Sequence, residues 1–367
     1  MSWVIVVLGF CVLIILHELG HFAVAKWVGM RVEKFSLFFP PTIWSTKKGE
    51  TEYAIGAIPA GGYVRISGMN PSEDLPDEVR DRAYHAQPVW KRMAVIGAGP
   101  LVNFVLAFVL LVFAFVAFGP REPSTTVGQI KPGSPASTVL EPGDTLVAVD
   151  GKRPGPNVPK ADRNAFFAKQ IAAHRCPGGI RKEGCVAATP AKLTVRRDGK
   201  LLTVSVRPRY DTTNSPHRMR VGFTYELPRH PYSLGKSVSE AGNTFWFVSK
   251  ETVKIPAYIF NPEKRKQISG IVGTSDAANT LVKTDAADAI ALFAVISLSL
   301  AIINLFPFLP LDGGHIFWAA VEFVRRRPVP YAVMERAGVV GFMLVIGLFI
   351  LGLTNDIERL TNGTGVR

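Results

Sequence analysis

The chain has 367 residues, of which 48% are hydrophobic and 19% charged, and its mean hydropathy is +0.21. Soluble globular proteins carry about 25% charged residues, and the apolar surplus here is concentrated in a few stretches. This argues against a single soluble domain and against a disordered or fibrous chain. The 42 Lys and Arg residues exceed the 29 Asp and Glu residues, which gives a net charge of +13. No basic helix or aromatic nucleic-acid motif accompanies this charge. We therefore predict no nucleic-acid partner and expect the basic surface to face anionic lipid headgroups.

Four apolar segments are long enough to cross a bilayer. A membrane helix needs about 20 apolar residues, and hydropathy predicts spans near residues 3–25, 93–118, 290–308 and 332–353. The first segment has no basic residues before it and contains ionisable side chains, which argues against a removable signal peptide. The prediction is an α-helical polytopic membrane protein with four transmembrane helices.

The arginine cluster 325–327 predicts the orientation, because short cytoplasmic loops carry an excess of Lys and Arg. If that loop is cytoplasmic, residues 26–92 are also inside, and residues 119–285 and both termini are outside. Lys91 and Arg92, at the inner end of the second span, agree with this orientation.

Residues 119–225 read as a β-rich domain. Short strand-like runs are predicted at residues 126–130, 145–149, 192–196 and 202–206, and Gly133 and Gly143 suit turns between them. The stretch 131–136, followed by 142–146 and 149–151, resembles a PDZ domain of the bacterial protease type. PDZ domains bind extended peptides at a sheet edge; the alternative is a domain that only blocks access.

Two smaller features complete this middle region. Cys176 and Cys185 flank a Pro-Gly-Gly loop, and an oxidising compartment favours a disulfide between them, with free thiols as the alternative. Residues 231–258 suggest an interfacial helix or a linker. The resulting division is an N-terminal membrane core (1–118), the PDZ-like domain (119–225), a linker or interfacial helical segment (226–285) and a C-terminal membrane core (286–367).

The first span contains the motif His17-Glu18-Leu19-Gly20-His21, which has the pattern HExxH. Residues i and i+4 of a helix share one face, so His17 and His21 can bind one Zn²⁺ ion, with Glu18 placed as the general base. Chance occurrence is suppressed here because ionisable side chains are costly inside a membrane. The alternative is a polar pair that faces a helix bundle.

A catalytic zinc site has three protein ligands and an open position. The third ligand is predicted to be Asp312, in the segment Asn304-Leu-Phe-Pro-Phe-Leu-Pro-Leu-Asp-Gly-Gly-His315 that follows the third span. Irregular backbone at membrane depth is tolerated where it is buried or lines a wet cavity. His315 is the rival ligand; we prefer the carboxylate and assign His315 a supporting or structural role.

These motifs closely resemble the site-2 protease family of intramembrane zinc metalloproteases, in particular its bacterial branch that processes anti-sigma factors. The single PDZ-like unit is similar to actinobacterial members. Further segments that match are 58–65, 97–103 and 269–273, although Gly270-Ile271 stands where the family often has Gly-Pro. The resemblance covers nearly the whole chain.

The resemblance implies that His17, His21 and Asp312 bind zinc, that Glu18 is the general base and that Asn304 helps to hold the substrate backbone. It also implies a membrane-dipping β-hairpin at about residues 52–66 that receives the substrate as an added strand. The residues predicted for this contact are Gly61, Gly62 and Tyr63, with Gly61 and Gly62 as the turn. Asn103, a polar residue in the second span, is interpreted as an interhelical hydrogen bond rather than catalytic support.

The predicted function is zinc-dependent cleavage of transmembrane segments in regulated intramembrane proteolysis. The expected substrates are single-span proteins, anti-sigma factors in particular, already cut by an upstream site-1-type protease. The expected location is the bacterial cytoplasmic membrane, with the active site towards the cytoplasm and the PDZ-like domain outside. Alternatives are a protease of prenylated or soluble tails, a transporter, and a non-catalytic zinc-binding membrane scaffold that presents the PDZ-like domain.

Overall fold

A computed structural model describes residues 2–70, 73–179, 181–213, 216–266 and 268–361. The chain is mostly helical and divides into two compact units, Met1–Ala117 with Tyr232–Arg367, and Phe118–Pro231. Its α-helices are α1 (Ser2–Trp27), α2 (Asp77–Arg80), α3 (Val89–Ala117), α4 (Arg163–Ala172), α5 (Leu234–Val253), α6 (Ile255–Tyr258), α7 (Pro262–Arg265), α8 (Ile271–Thr284), α9 (Ala286–Asn304), α10 (Asp312–Arg325) and α11 (Tyr331–Thr361). Its strands are β1 (Val32–Lys48), β2 (Thr51–Ile66), β3 (Val127–Ile130), β4 (Thr145–Val149), β5 (Ala191–Arg197), β6 (Lys200–Val206), β7 (Arg209–Asp211), β8 (Arg218–Arg220) and β9 (Phe223–Tyr225).

Four of these helices are long and apolar enough to cross a membrane, as predicted. They are α1, α3, α9 and α11, and α3 packs against both α1 and α9. The third of them begins and ends about four residues earlier than hydropathy predicts. Asp285 caps its first turn by accepting hydrogen bonds from the backbone N–H groups of Ala287 and Asp288, and Pro307 prevents its continuation beyond Asn304.

The predicted hairpin at about residues 52–66 is wrong in its extent and its turn. The chain reverses at Gly49-Glu50, between β1 and β2, rather than at Gly61-Gly62. Residues 32–37 are central and pair on one side with 51–56 and on the other with 62–66, while 42–48 pairs with the outer side of 51–56. The two segments predicted to pair with each other are therefore separated by a third.

Two prolines explain this difference. Pro40 and Pro41 lie within β1 and are joined by a cis peptide bond, although prolines in a sequence argue against a strand. They stand where β1 passes from the centre of the sheet to its outer edge, between the pairs Phe39 with Ile58 and Thr42 with Gly56. The turn itself is held by Glu50, whose carboxylate accepts hydrogen bonds from Arg82 at 2.7 and 2.8 Å and Lys26 at 2.8 Å. These cations lower the pKa of Glu50 to about 2.

The region between the second and third spans contains more than a linker. Helix α5, which covers most of the aromatic segment, packs against α3 and α9. The ring of Phe245 lies 5.7 Å from that of Phe104 and 6.2 Å from that of Phe108. The helix thereby covers part of the membrane core instead of only leading back to it.

A buried carboxylate accepts hydrogen bonds from the segment 269–273. Asp356, only 1% exposed on α11, accepts hydrogen bonds from the backbone N–H groups of Gly270 at 3.1 Å and Gly273 at 2.8 Å and from the hydroxyl of Ser269 at 3.2 Å. It thus satisfies free donors at the N-terminus of α8. Gly270 also lies against Gly352 of α11, where a Cβ atom would be 2.8 Å from backbone.

The unit Phe118–Pro231 contains the four strands predicted in the exposed middle, seen as β3 to β6, together with helix α4, which the sequence patterns did not reveal. Strands β4, β5 and β6 form one sheet in that order, and β3 pairs with β9. Its core includes Val127, Leu146, Phe167 and Leu193, each at most 2% exposed. The structure joins Cys176 to Cys185, in agreement with the preferred prediction.

An ion pair ties β5 to the start of β4 in this unit. The fully buried carboxylate of Asp144 accepts hydrogen bonds from Arg197 Nε and Nη2, both at 2.7 Å, and from the backbone N–H of Glu141 at 2.9 Å. The Arg197 guanidinium lowers the pKa of Asp144. The pair replaces hydration that this carboxylate loses on burial.

Candidate metal centre

Helix α1 brings the two histidines of the HExxH motif together, because they are one turn apart on one face. The Nε2 atoms of His17 and His21 lie 3.3 Å apart. Both residues are buried, with 6% and 7% of their surface exposed. Two buried imidazole nitrogens that converge on one point are a favourable start for a metal site.

Asp312 completes the group from a distant part of the chain. After α9 ends, the proline-rich loop turns the chain, and Asp312 is the first residue of α10. Its Oδ2 atom lies 3.1 Å from His17 Nε2 and 3.5 Å from His21 Nε2. The approach needs glycine at the next position, since a Cβ atom on Gly313 would lie 2.1 Å from the carbonyl oxygen of Leu305. The three potential ligand atoms all lie within 4.8 Å of one another.

Neighbouring groups orient the two imidazoles for metal binding. His21 Nδ1 lies 2.8 Å from the backbone carbonyl oxygen of Val95. Because a carbonyl oxygen can only accept a hydrogen bond, Nδ1 carries the hydrogen and donates it, which leaves the Nε2 lone pair free. The amide of Asn103 lies 3.3 Å from His17 Nδ1, and its buried Oδ1 atom has no hydrogen-bond partner among the described residues. Turning that amide over would let Oδ1 accept from His17 Nδ1–H, which satisfies the oxygen and frees His17 Nε2.

Asn103 therefore does more than the sequence interpretation assigned to it. The hydrogen bond is interhelical, between α3 and α1, but its partner is one of the candidate ligands. The backbone carbonyl of Asn103 also accepts a hydrogen bond from the Ser297 hydroxyl of α9 at 3.0 Å. The sequence signal for this role was a polar residue inside an apolar span. Hydropathy could not show which residue it contacts.

Gly99 leaves the space in front of the ligand atoms. A Cβ atom at this position would lie 2.3 Å from His21 Nε2 and 2.9 Å from His17 Nε2. In the sequence, Gly99 stands out only as part of the matching segment 97–103. Two imidazoles, one carboxylate and a gap that a methyl group would fill match the ligand set and the open position of a hydrolytic zinc site.

A cavity of about 330 Å³ opens in front of these atoms and is lined by further residues of the predicted site. Glu18, Tyr63 and Asn304 line it, and the Nδ2 atom of Asn304 lies 3.3 Å from His17 Nε2. His315 also lines the cavity but does not belong to the group of converging ligand atoms. Glu18 is thus beside the candidate ligands and faces the same space.

The sheet approaches this cavity through its 62–66 segment. A Cβ atom on Gly62 would lie 3.0 Å from Glu18 Cγ, and Tyr63, Val64 and Ile66 line the cavity. Among the described residues, this segment is paired with a strand on one side only. Gly61 lies in β2 at the start of this edge, where a Cβ atom would be 2.7 Å from the ring of Phe39, so neither glycine forms the predicted turn.

Comparison with known proteins agrees with this geometry. Residues 5–348 match the model of Peptidase family M50. The chain is 31% identical to a protein of Clostridium perfringens over 95% of this chain and 96% of the relative, and 30% identical to a protein of Brucella suis over 94% and 92%. Both relatives carry names that describe them, provisionally, as zinc metalloproteases. Metalloprotease MmpA of Caulobacter vibrioides is 30% identical over 95% of this chain and 93% of the relative.

The chain therefore belongs to Peptidase family M50, the site-2 protease family. It is a zinc metalloprotease and, with its four apolar helices, a membrane protein. Among solved structures, a PDZ domain of an SdrC-like protein from Listeria innocua matches 30% of this chain and 99% of its own, at 16% identity and a TM-score of 0.21.

Proposed function

We propose that this protein hydrolyses peptide bonds within the membrane-spanning segments of single-span proteins, with zinc held by His17, His21 and Asp312. The observation that supports this best is that the candidate ligands stand on and beside apolar helices long enough to span a bilayer. A reaction placed there acts on a chain within the hydrocarbon region. Zinc bound at this site supplies Lewis acidity, which makes water nucleophilic near neutral pH and polarises a peptide carbonyl.

Glu18 is the proposed general acid–base. Its carboxylate shares the cavity with the ligand atoms, so it can accept a proton from the attacking water and deliver it to the departing amine. Asn304 is proposed to orient the substrate, because its amide reaches the same cavity from the end of α9. Its side chain carries both a donor and an acceptor, which suits the backbone of an extended peptide.

The free edge of residues 62–66 is the proposed substrate-binding strand. A transmembrane helix satisfies its backbone hydrogen bonds internally, so it must unwind before a peptide bond is accessible. Pairing with an exposed sheet edge replaces those bonds, and this edge runs past Glu18 with Tyr63 facing the cavity. Gly62 allows that close approach.

The remaining parts of the proposal rest on the resemblance and on charge distribution. Anti-sigma factors trimmed by an upstream site-1-type protease are the proposed substrates, and the bacterial cytoplasmic membrane is the proposed location. From the positive-inside rule, the cluster 325–327 is proposed to lie in the cytoplasm and the unit Phe118–Pro231 outside. That unit is proposed to have a PDZ-like fold and to limit the size of substrates.

Co-expression with a panel of truncated single-span anti-sigma factors tests this function. The wild type is expected to cleave at least one member, and Glu18→Gln is expected to accumulate the uncleaved stub. The matched control is Glu358→Gln, the same substitution on an exposed residue of α11, which should cleave like the wild type. Cleavage by Glu18→Gln at the wild-type rate would refute the assigned mechanism. If the wild type cut only soluble or lipid-modified tails, the proposed substrate class would be wrong.

A further inference from the structure

The end of α10 carries three arginines that form no ion pair with an acidic residue among those the structure describes. Arg325 is the last residue of the helix, and Arg326 and Arg327 follow it. All three side chains are exposed. Within the described part of the chain, none of their guanidinium groups has an ion pair or hydrogen bond. Three adjacent positive charges repel one another, and a bound anion would relieve this repulsion.

An open cavity of about 500 Å³ lies beside this cluster and has two kinds of wall. Arg326 and Arg327 form its charged side. Phe323 and Val324 form its apolar side and are 70% and 80% exposed. Large apolar side chains this exposed next to unpaired cations match a ligand that has both an anionic group and a hydrocarbon part.

The cavity lies where two membrane-spanning helices begin. Val89, the first residue of α3, lines it, and Tyr331, the first residue of α11, follows Arg327 by four positions. The neighbouring Trp90 is 62% exposed, and tryptophan is enriched at the level of lipid headgroups. An amphipathic ligand at this level of the protein is a phospholipid.

The one carboxylate in the cavity does not cancel its positive charge. Glu322 accepts hydrogen bonds from Nη2 and Nη1 of Arg92 at 2.6 and 2.9 Å, so its charge is already paired. The C-terminus of a helix contributes roughly half a negative charge, against three full positive charges at Arg325, Arg326 and Arg327. The electrostatic potential of the site therefore favours an anion.

We propose that this cavity binds the headgroup of an anionic phospholipid. Arg326 and Arg327 hold the phosphate, Arg325 adds to the field, and Phe323 and Val324 contact the acyl chains. This assignment is independent of the cleavage reaction. It also gives the lipid a place on the helix that starts at Asp312, while the pair of Arg92 with Glu322 attaches the same helix to α3.

Lipid binding can be measured on the full zinc-loaded chain in nanodiscs of phosphatidylcholine, without any substrate. Spin-labelled phosphatidylglycerol and spin-labelled phosphatidylcholine are compared by the fraction of label that the protein immobilises. We expect the wild type to prefer phosphatidylglycerol. Each arginine near an anionic lipid is worth roughly fivefold in affinity, so R325Q/R326Q/R327Q should lower that preference by up to about a hundredfold.

Two variants and a competitor make the result specific. R153Q/K160Q/K200Q removes the same charge from exposed positions of the other unit and should bind like the wild type. F323S/V324S keeps every charge and should weaken binding of the lipid. Inorganic phosphate, added at equal ionic strength against chloride, should compete poorly. Three results would each overturn the lipid site. The first is an equal preference for phosphatidylglycerol in R325Q/R326Q/R327Q and R153Q/K160Q/K200Q. The others are wild-type lipid binding by F323S/V324S and complete displacement of the lipid by inorganic phosphate.

Discussion

Gly99→Ala is expected to weaken zinc binding by at least about 100-fold while leaving the fold intact. The added Cβ atom would lie 2.3 Å from His21 Nε2 and 2.9 Å from His17 Nε2, whereas ordinary contact begins at 3.4 Å. The His21 ring would have to move by about 1 Å, the difference between 3.4 and 2.3 Å. Zinc sites tolerate deviations of only about 0.2 Å in ligand distance.

The magnitude follows from this displacement. Changes in residues that only support the ligands lower metal affinity by about 10- to 100-fold. Direct displacement of a ligand should reach at least the upper value, about 2.7 kcal/mol of zinc-binding free energy. The helix itself should tolerate the change, since alanine is favoured over glycine in a helix interior by up to about 1 kcal/mol.

Gly97→Ala is the matched control, because Gly97 lies in α3 two residues away. Its added Cβ atom would meet only Ile316 Cδ1, at 4.0 Å. Both purified variants are assayed for bound zinc by mass spectrometry, for affinity by competition with a chelating dye, and for helical content by circular dichroism. If Gly99→Ala kept one zinc with the affinity of Gly97→Ala, the imidazoles would not converge beside Gly99 as described.

Three further predictions concern other buried groups. Asn103→Leu removes the amide that orients His17 and should lower zinc affinity about 10- to 100-fold, measured by the same competition assay; unchanged affinity would contradict the orienting role. Asp144→Asn should destabilise the middle unit by about 1–3 kcal/mol, because the amide nitrogen cannot accept the hydrogen bonds that the buried carboxylate receives, although Glu141 still pairs with Arg197. Because the folded-state pKa of Asp144 is lowered, its contribution is complete above the unfolded value near pH 4 and is lost as the pH falls through the folded value. Hydrogen exchange of β4 and β5 should therefore accelerate at acidic pH in the wild type, with little further pH effect from this group in Asp144→Asn. Asp356→Leu removes the acceptor at the start of α8 and should cost about 1–2 kcal/mol, visible as faster exchange at residues 270–274; protection equal to the wild type would exclude the capping role.

Hydropathy and short-range spacing were sufficient for the four apolar helices and for the candidate ligands. A run of about 20 apolar residues is a local property, and the placement of His17 and His21 on one face follows from the helical repeat alone. Asp312 was found because a carboxylate beside prolines and glycines is conspicuous after an apolar span. The four strands β3 to β6 were also visible as short β-rich runs between turns.

Only the tertiary structure showed which distant groups meet. Strand pairing depends on contacts between segments, so the placement of residues 32–37 between 51–56 and 62–66 left no mark in local periodicity. The same reason applies to the contact of Asn103 with His17 and to the hydrogen bonds that Asp356 accepts at the start of α8. Both residues are separated from these partners by more than 80 positions in the sequence. Packing also determined what glycine does at position 99: the sequence shows a missing side chain, and the fold shows that the space it leaves lies against the ligand atoms.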